Sequence, residues 1–291
     1  MAHDKLFSGK VAVVTGAGGT LCSVMARDLA ARGAKVALLG RTAGKLAGVV
    51  EEIIAAGGEA VAVSADVTDL ASVLAAEREV AARLGVCDLL VNGAGGNNPS
   101  AVTTIDRFSP EELAEKPPEG LRGFFNIDLE AFGGVLLANT TGTVIPCQVF
   151  GRGMVERGMA GHGGGAIVNI ASMNSYRPLT RNAAYGMAKA GVINFTQWLA
   201  AYLGEAGVRV NAIAPGFFPN DRSRKILTDA AADDGLTDRG RNVMAHTPMR
   251  RFGEPAELLG ALRWLLDDEA AGFVTGICVP VDGGFLATSG V

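Results

Sequence analysis

Tyr185 and Lys189 stand four residues apart, and Ser172 precedes the tyrosine by thirteen. On a helix, residues i and i+4 share a face, so the phenol and the ammonium would lie side by side. A phenol with an ordinary pKa near ~10 is a poor acid at neutral pH unless positive charge stabilises its anion. A lysine supplies that charge, and a serine hydroxyl can hydrogen-bond an oxygen on which negative charge develops. The chemistry open to such a set is proton transfer at a carbonyl or an alcohol. By itself a Tyr-x-x-x-Lys pair is more readily a packed tyrosine beside a surface lysine, and only its company reverses that.

The company is a series of motifs that follow short apolar runs. Thr15-Gly16-Ala17-Gly18-Gly19-Thr20-Leu21-Cys22 follows the first run and leads into an alanine-rich segment. A glycine-rich strand-to-helix turn brings backbone N–H groups close to a pyrophosphate, whose charge the helix N-terminus favours; the alternative is a tight turn without a ligand. The second run ends in Leu39-Gly40-Arg41-Thr42, with no carboxylate. An acidic residue there would bond the ribose hydroxyls of NAD, whereas an arginine suits the 2′-phosphate of NADP. Arg41 thus makes NADP(H) the expected cofactor, with NAD(H) the alternative. Asp66-Val67, Asn92-Gly93-Ala94-Gly95 and Ser172 follow the third, fourth and fifth runs.

The elements that must position these residues are written in the same rhythm. Val11–Val14, Lys35–Leu39, Ala60–Val63, Asp88–Val91, Ala166–Ile170, Val208–Ile213 and Cys278–Val281 read as strands, the first three separated by helical segments at 23–32 and 44–56. Near-continuous apolar strands alternating with helices predict a parallel sheet covered on both faces. No linker divides the 291 residues, so a single domain is expected over 1–291. Loop insertions near 96–137 and 217–249 interrupt the rhythm, and loops of that length usually bind ligands. With 40 glycines, 48% hydrophobic and 19% charged residues, the protein is globular. A net charge of −4 without charged runs gives no footprint for nucleic acid. Cys22, Cys87, Cys147 and Cys278 are scattered singly, offering neither a disulfide framework nor a metal cluster. No apolar leader or membrane-length run is read, so a soluble cytoplasmic protein is expected.

On these motifs the protein resembles the short-chain dehydrogenases/reductases over nearly its whole length. The resemblance implies a single-domain Rossmann fold of class α/β, a doubly wound seven-stranded parallel sheet, a nicotinamide cofactor and assembly as a homotetramer or homodimer. It places the catalytic tetrad on Asn139, Ser172, Tyr185 and Lys189. Tyr185 would exchange the proton under the influence of Lys189, Ser172 would hold the substrate oxygen, and Asn139 would hold a water that relays protons from Lys189. Cofactor contacts are implied for Thr15, Gly16, Gly18, Gly19, Thr20, Leu21, Arg41, Asp66, Val67, Asn92, Gly93, Ala94, Gly95, Tyr185, Lys189, Pro215, Gly216 and Phe218. The family usually has glycines where this sequence has Thr20 and Cys22.

Narrower stretches, among them Gly96-Asn97-Asn98-Pro99, Ser172-Met173-Asn174, Arg177-Pro178-Leu179-Thr180, Pro215-Gly216-Phe217-Phe218 and His246-Thr247-Pro248-Met249, resemble one group within that family, the D-mannonate oxidoreductases or fructuronate reductases. A sugar acid presents a carboxylate and several hydroxyls. Amides match hydroxyls and arginine matches a carboxylate, so Asn97, Asn98, Ser172, Asn174, Arg181 and Tyr185 are the candidate substrate residues. Arg177, Asn220 and His246 stand in the same loops, Arg177 and Arg181 being equally readable as subunit-interface residues; Met244 and Met249 read as packing. The expected activity is hydride transfer between NAD(P)(H) and a sugar-acid carbonyl or alcohol, D-fructuronate/D-mannonate first. Another keto sugar acid of the 5-keto-gluconate type, or a polyol, is the enzymatic alternative. A dinucleotide sensor without turnover is the other, and it has no need of the Ser172, Tyr185 and Lys189 set.

Overall fold

The computed structural model describes residues 5–288. Strands β1 (Val11–Thr15), β2 (Lys35–Gly40), β3 (Glu59–Ser64), β4 (Leu89–Asn92), β5 (Gly165–Ile170), β6 (Val208–Pro215) and β7 (Cys278–Val281) form one sheet in the order β3-β2-β1-β4-β5-β6-β7. Every neighbouring pair is parallel. Side chains alternate along each strand between two layers of helices. Ala12, Val14, Val36, Leu38, Leu89 and Val168 face helices α1 (Thr20–Ala31), α2 (Ala43–Ala55) and α9 (Leu259–Leu266), packing on Met25, Leu29, Leu46 and Leu262. Val11, Val13, Leu39, Leu90 and Ile167 face α3 (Leu70–Arg83), α5 (Thr141–Met159) and α6 (Ala183–Leu203), packing on Val73, Val80, Phe150 and Leu199. Burial on both faces is why the strands read as unbroken apolar runs.

The strand order turns back at β1, whose neighbours are β2 and β4. The carboxyl ends on either side of such a switch point leave a crevice for a ligand. The crevice is held open by polar bonds inside the sheet. Thr15 Oγ1 accepts from the N–H groups of Gly93 and Ala94, each at 3.1 Å. Asn92 Nδ2 donates to Asn169 Oδ1 at 2.9 Å, and Asn169 Nδ2 to Thr196 Oγ1 at 2.9 Å. These buried bonds fix the register of β4 against β5 and tie the sheet to α6.

Both insertions differ from the expected loops. The first ends at Asp128, which accepts from the Ala131 N–H at 3.0 Å and caps α4 (Leu129–Asn139), so residues 129–137 are helical. Gly133 and Gly134, poor helix formers, hide that helix in the sequence. The second, 217–249, holds two short helices, α7 (Asp221–Leu227) and α8 (Asp238–His246), the latter capped by Thr237. Their polar, charged surfaces gave no apolar period to read. Among the described residues no helix is long and apolar enough to cross a membrane.

Candidate active site

The turn after β1 is shaped by Gly16, which no other residue could replace without strain. Gly16 has φ +67°, and a Cβ there would stand 2.8 Å from Ala94 Cα. Gly19 begins α1 with no side-chain cap, and the first turn carries no acidic residue. A twelve-residue helix therefore points its N-terminal N–H groups at the crevice without a side-chain partner at the cap, an arrangement that fits a pyrophosphate. Thr20 is exposed at the helix start, whereas Cys22 is buried, its Sγ filling the space that a side chain on Gly93 would need. Close packing that a helix glycine would give is supplied here by a glycine on the opposite loop.

Arg41 is exposed at the end of β2, and Lys45 of α2 packs its stem on Gly18. Asp66 Oδ1 accepts from Thr68 N at 2.9 Å and Thr68 Oγ1 at 2.7 Å. Those two bonds, with a smaller contribution from Arg41, hold its carboxyl below the ordinary range. Val67 packs against Gly142 at the start of α5. Thr15 and Asn92 are fully enclosed, so their side chains brace the crevice from inside the sheet. One atom is an exception to that satisfaction: Asn92 Oδ1 is buried without a partner.

Ser172, Tyr185 and Lys189 come together at the ends of β5 and α6. Ser172 Oγ accepts from Asn174 N at 3.2 Å and caps a single 3-10 turn, Met173–Ser175. Its hydroxyl faces that of Tyr185 in the first turn of α6, closely enough to favour the phenolate. Lys189 Nζ, buried, donates to the Ile170 carbonyl at 2.7 Å and lies 5.7 Å from the centre of the Tyr185 ring. Burial drives the Lys189 ammonium down to about 8 and the Tyr185 phenol up, the latter opposed by Ser172. Burial thus disfavours the charged form of each group, and an opposite charge beside either is stabilising.

Asn139, the last residue of α4, is fully buried where α4 passes into α5. Its Nδ2 donates to the carbonyls of Gly96 (2.7 Å) and Val135 (2.8 Å), and its Oδ1 accepts from Gly96 N at 3.1 Å. The side-chain amide is therefore a clamp on the Gly95-Gly96 turn. A side chain on Gly95, φ +145°, would strike the same amide.

Pro215 ends β6, and the Gly216 N–H donates to the Val281 carbonyl at 2.9 Å. Phe218 lines an adjoining hollow of about 370 Å³ together with Thr247, Met249 and Asp282. Met249, expected as packing, is 64% exposed on this rim. The candidate substrate residues divide. Asn97 Nδ2 donates to Asn182 Oδ1 at 2.7 Å just before α6, and Arg181 Nε donates to Asp106 Oδ1 at 2.5 Å. Asn98 caps Ser100 N at 2.9 Å. Asn174 Oδ1 accepts from Leu179 N at 2.8 Å while its buried Nδ2 has no partner; the residue lines a second hollow, of about 260 Å³, on a neighbouring face of α6. Arg177 donates to the carbonyls of Phe285, Leu286 and Thr288, so it anchors the C-terminal segment. The Asn220 carbonyl starts α7, and exposed His246 is bonded to the Asn242 carbonyl at 2.8 Å. Asp106 and Arg239 escaped the sequence reading; only charge pairing across distant segments marks them.

This arrangement is matched by known proteins. The family model of the short chain dehydrogenases covers residues 10–231. The chain belongs to the short-chain dehydrogenase/reductase family and is an NAD(P)-dependent oxidoreductase. An uncharacterized oxidoreductase of Bacillus subtilis is 47% identical over 289 residues, 99% of either chain. A D-threitol dehydrogenase of Mycolicibacterium smegmatis is 33% identical, covering 97% of this chain and 95% of its own. A Haemophilus influenzae crystal structure with bound NAD, provisionally assigned as a D-mannonate oxidoreductase, has a TM-score of 0.90 and 41% identity, covering 99% of this chain and 98% of its own.

Proposed function

We propose that the protein interconverts a keto sugar acid and its hydroxy acid, with D-fructuronate and D-mannonate as the pair. The observation that carries this reading is the placement of Arg181 on the segment that leads into α6, four residues before Tyr185, with Asn97 bonded to the adjoining Asn182. The likeness to the provisionally assigned D-mannonate oxidoreductase of Haemophilus influenzae supports it.

When bound in the crevice, a nicotinamide cofactor would supply or accept the hydride at the substrate carbon. Ser172 holds the substrate oxygen through its hydroxyl, and Tyr185 gives that oxygen a proton on reduction or takes one on oxidation. Lys189, whose charge is stripped of water, stabilises the phenolate that remains. Asn139 positions the Gly95-Gly96 turn against the crevice. Gly16, Gly18, Gly19, Thr20 and Leu21 would hold the pyrophosphate at the N-terminus of α1, with Asp66, Val67, Gly93, Ala94, Gly95, Pro215, Gly216 and Phe218 along the rest of the dinucleotide. Arg41 favours NADP(H); the NAD in the Haemophilus structure is the counterweight. The exposed stack of Trp198 and Tyr202 on α6, ring centroids 5.0 Å apart, supports assembly into a homodimer or homotetramer, which light scattering checks. We place the working enzyme in the cytoplasm.

The test is the initial rate of loss of reduced-nicotinamide absorbance with D-fructuronate and with 5-keto-D-gluconate, each with NADPH and with NADH. Rapid oxidation with fructuronate is expected. Faster turnover of 5-keto-gluconate, or of D-threitol in the oxidative direction, moves the substrate to that class and leaves the catalytic set in place.

A further inference from the structure

Where the two insertions face the loop before α6, positive charge is in excess. Asp106 lies in the first insertion, bonded to Arg181 Nε at 2.5 Å. Arg107 is its neighbour in sequence, and Arg239, half-buried in the first turn of α8, interacts electrostatically with both Asp106 and Arg181. Three guanidinium groups thus share one carboxylate. Among the described residues, neither the Nη groups of Arg181 nor the guanidinium of Arg239 has a hydrogen-bond partner, and burial together with Arg181 lowers the affinity of Arg239 for its own proton. Like charges gathered at a half-exposed rim repel one another, and an anion that joins them relieves that repulsion.

The backbone holds the group in place at some strain. Arg181 has φ +72°, a left-handed conformation rare outside glycine, aspartate and asparagine. Its carbonyl accepts from Thr103 N at 3.2 Å, which locks it to the first insertion. It stands four residues before Tyr185. In a hexulosonate the keto carbon and the carboxylate carbon are four bonds apart, about 5 Å when extended, by ordinary bond lengths. A substrate whose carbonyl lies at Tyr185 would carry its carboxylate within the reach of a guanidinium on the segment just before it.

We propose that Arg181 and Arg239 form the carboxylate-recognising subsite, Arg239 being the specificity-determining residue contributed by the second insertion and Asp106 the group that orients Arg181. This rests on the sugar-acid reading above. Bidentate guanidinium contacts suit a planar carboxylate; a neutral polyol gives them nothing to bind.

The experiment measures KM and kcat of the parent, Arg239→Gln and Arg239→Lys with D-fructuronate and with D-fructose, which has a hydroxymethyl in place of the carboxylate. Calorimetric binding of D-mannonate and D-mannitol to the NADH-loaded enzyme runs beside it, and thermal melts confirm folding. Arg239→Gln is expected to raise KM for the acid about 10- to 100-fold, leave kcat within a few-fold and leave the neutral ketose unaffected, with Arg239→Lys between. Unchanged KM for the acid, or equal losses on acid and ketose, overturns the subsite while leaving the substrate reading intact. If D-fructuronate is not turned over but a sugar acid still binds in an Arg239-dependent manner, the substrate falls and the subsite stands. Mannitol binding as tightly as mannonate overturns the subsite whatever the turnover.

Discussion

On the β1 side of the crevice the ligand-facing surface is made by backbone; on the α6 side it is made by side chains reaching between distant segments. The glycine turn, the uncapped start of α1 and the Thr15 bonds to Gly93 and Ala94 fix the first through main-chain groups and positive φ. The second depends on Asp106 with Arg181, Asn97 with Asn182, and Arg122 with the carbonyls of Pro99 and Val102. A backbone-built surface admits one class of ligand, because altering it strains the main chain. A side-chain-built surface can be retuned residue by residue, which suits the half of the site that must tell one carbonyl compound from another.

The largest effect is expected where the two halves meet. Tyr185→Phe removes the proton donor but none of the backbone surface, so kcat should fall by about 10³ or more while NADH binding, followed by fluorescence titration, stays within twofold. Turnover retained in that variant removes Tyr185 from the chemistry and leaves the crevice as a dinucleotide sensor.

Lys189 tests what the chemistry costs the fold. The folded protein holds its ammonium at about 8, while the unfolded protein holds it at the ordinary lysine value. Between those values the unfolded state binds the proton and the folded state does not, so stability rises with pH across that window and the penalty is fully present below it. The penalty is about 3 kcal/mol, of which Lys189→Met forfeits about 1 through the bond to the Ile170 carbonyl. The variant should therefore be nearly inactive yet more stable than the parent at pH 7 in urea melts, by about 2 kcal/mol, with the gain vanishing toward pH 10. A variant less stable at pH 7 would make Lys189 a structural residue first.

Gly93 and Cys22 test the backbone-built half directly. A methyl on Gly93 meets the buried sulfur of Cys22, so Gly93→Ala should destabilise by about 2 kcal/mol. Cys22→Ala opens that space, and the double variant should recover at least about 1 kcal/mol of it as coupling energy. No recovery would mean that Gly93 is required by the crevice itself, and that Cys22 is no substitute for a helix glycine.

The same division decides what could be read from the sequence. Strands burying both faces are unbroken apolar runs, and glycine turns are punctuation, so the seven strands, the helices at 23–32 and 44–56 and the family's motifs were legible within windows of a few residues. Asn139 was placed by its motif, yet its bonds to Gly96 depend on where an insertion of some thirty residues returns, which no local pattern encodes. Asp106 and Arg239 are ordinary charged residues in sequence and acquire meaning only through Arg181. Gly133 and Gly134 concealed the start of α4 because helix propensity there is overridden by packing of Ala131 and Val135.

The smallest expected effect probes an exposed side chain on the backbone-built half. Arg41 is exposed and titrates Asp66 only weakly, so it contributes little to the fold. Its value lies in a dianionic 2′-phosphate, which offers it a charge-assisted bond that a ribose hydroxyl does not match. Arg41→Ala should lower kcat/KM with NADPH about tenfold, the size of one exposed charge-assisted contact, and leave NADH within twofold. Lys45, packed on Gly18 nearby, should retain part of the phosphate affinity, so Lys45→Ala added to Arg41→Ala should deepen the loss with NADPH and again spare NADH. If both cofactors keep their ratio in the double variant, selection between them lies in the main chain of Gly40 to Thr42.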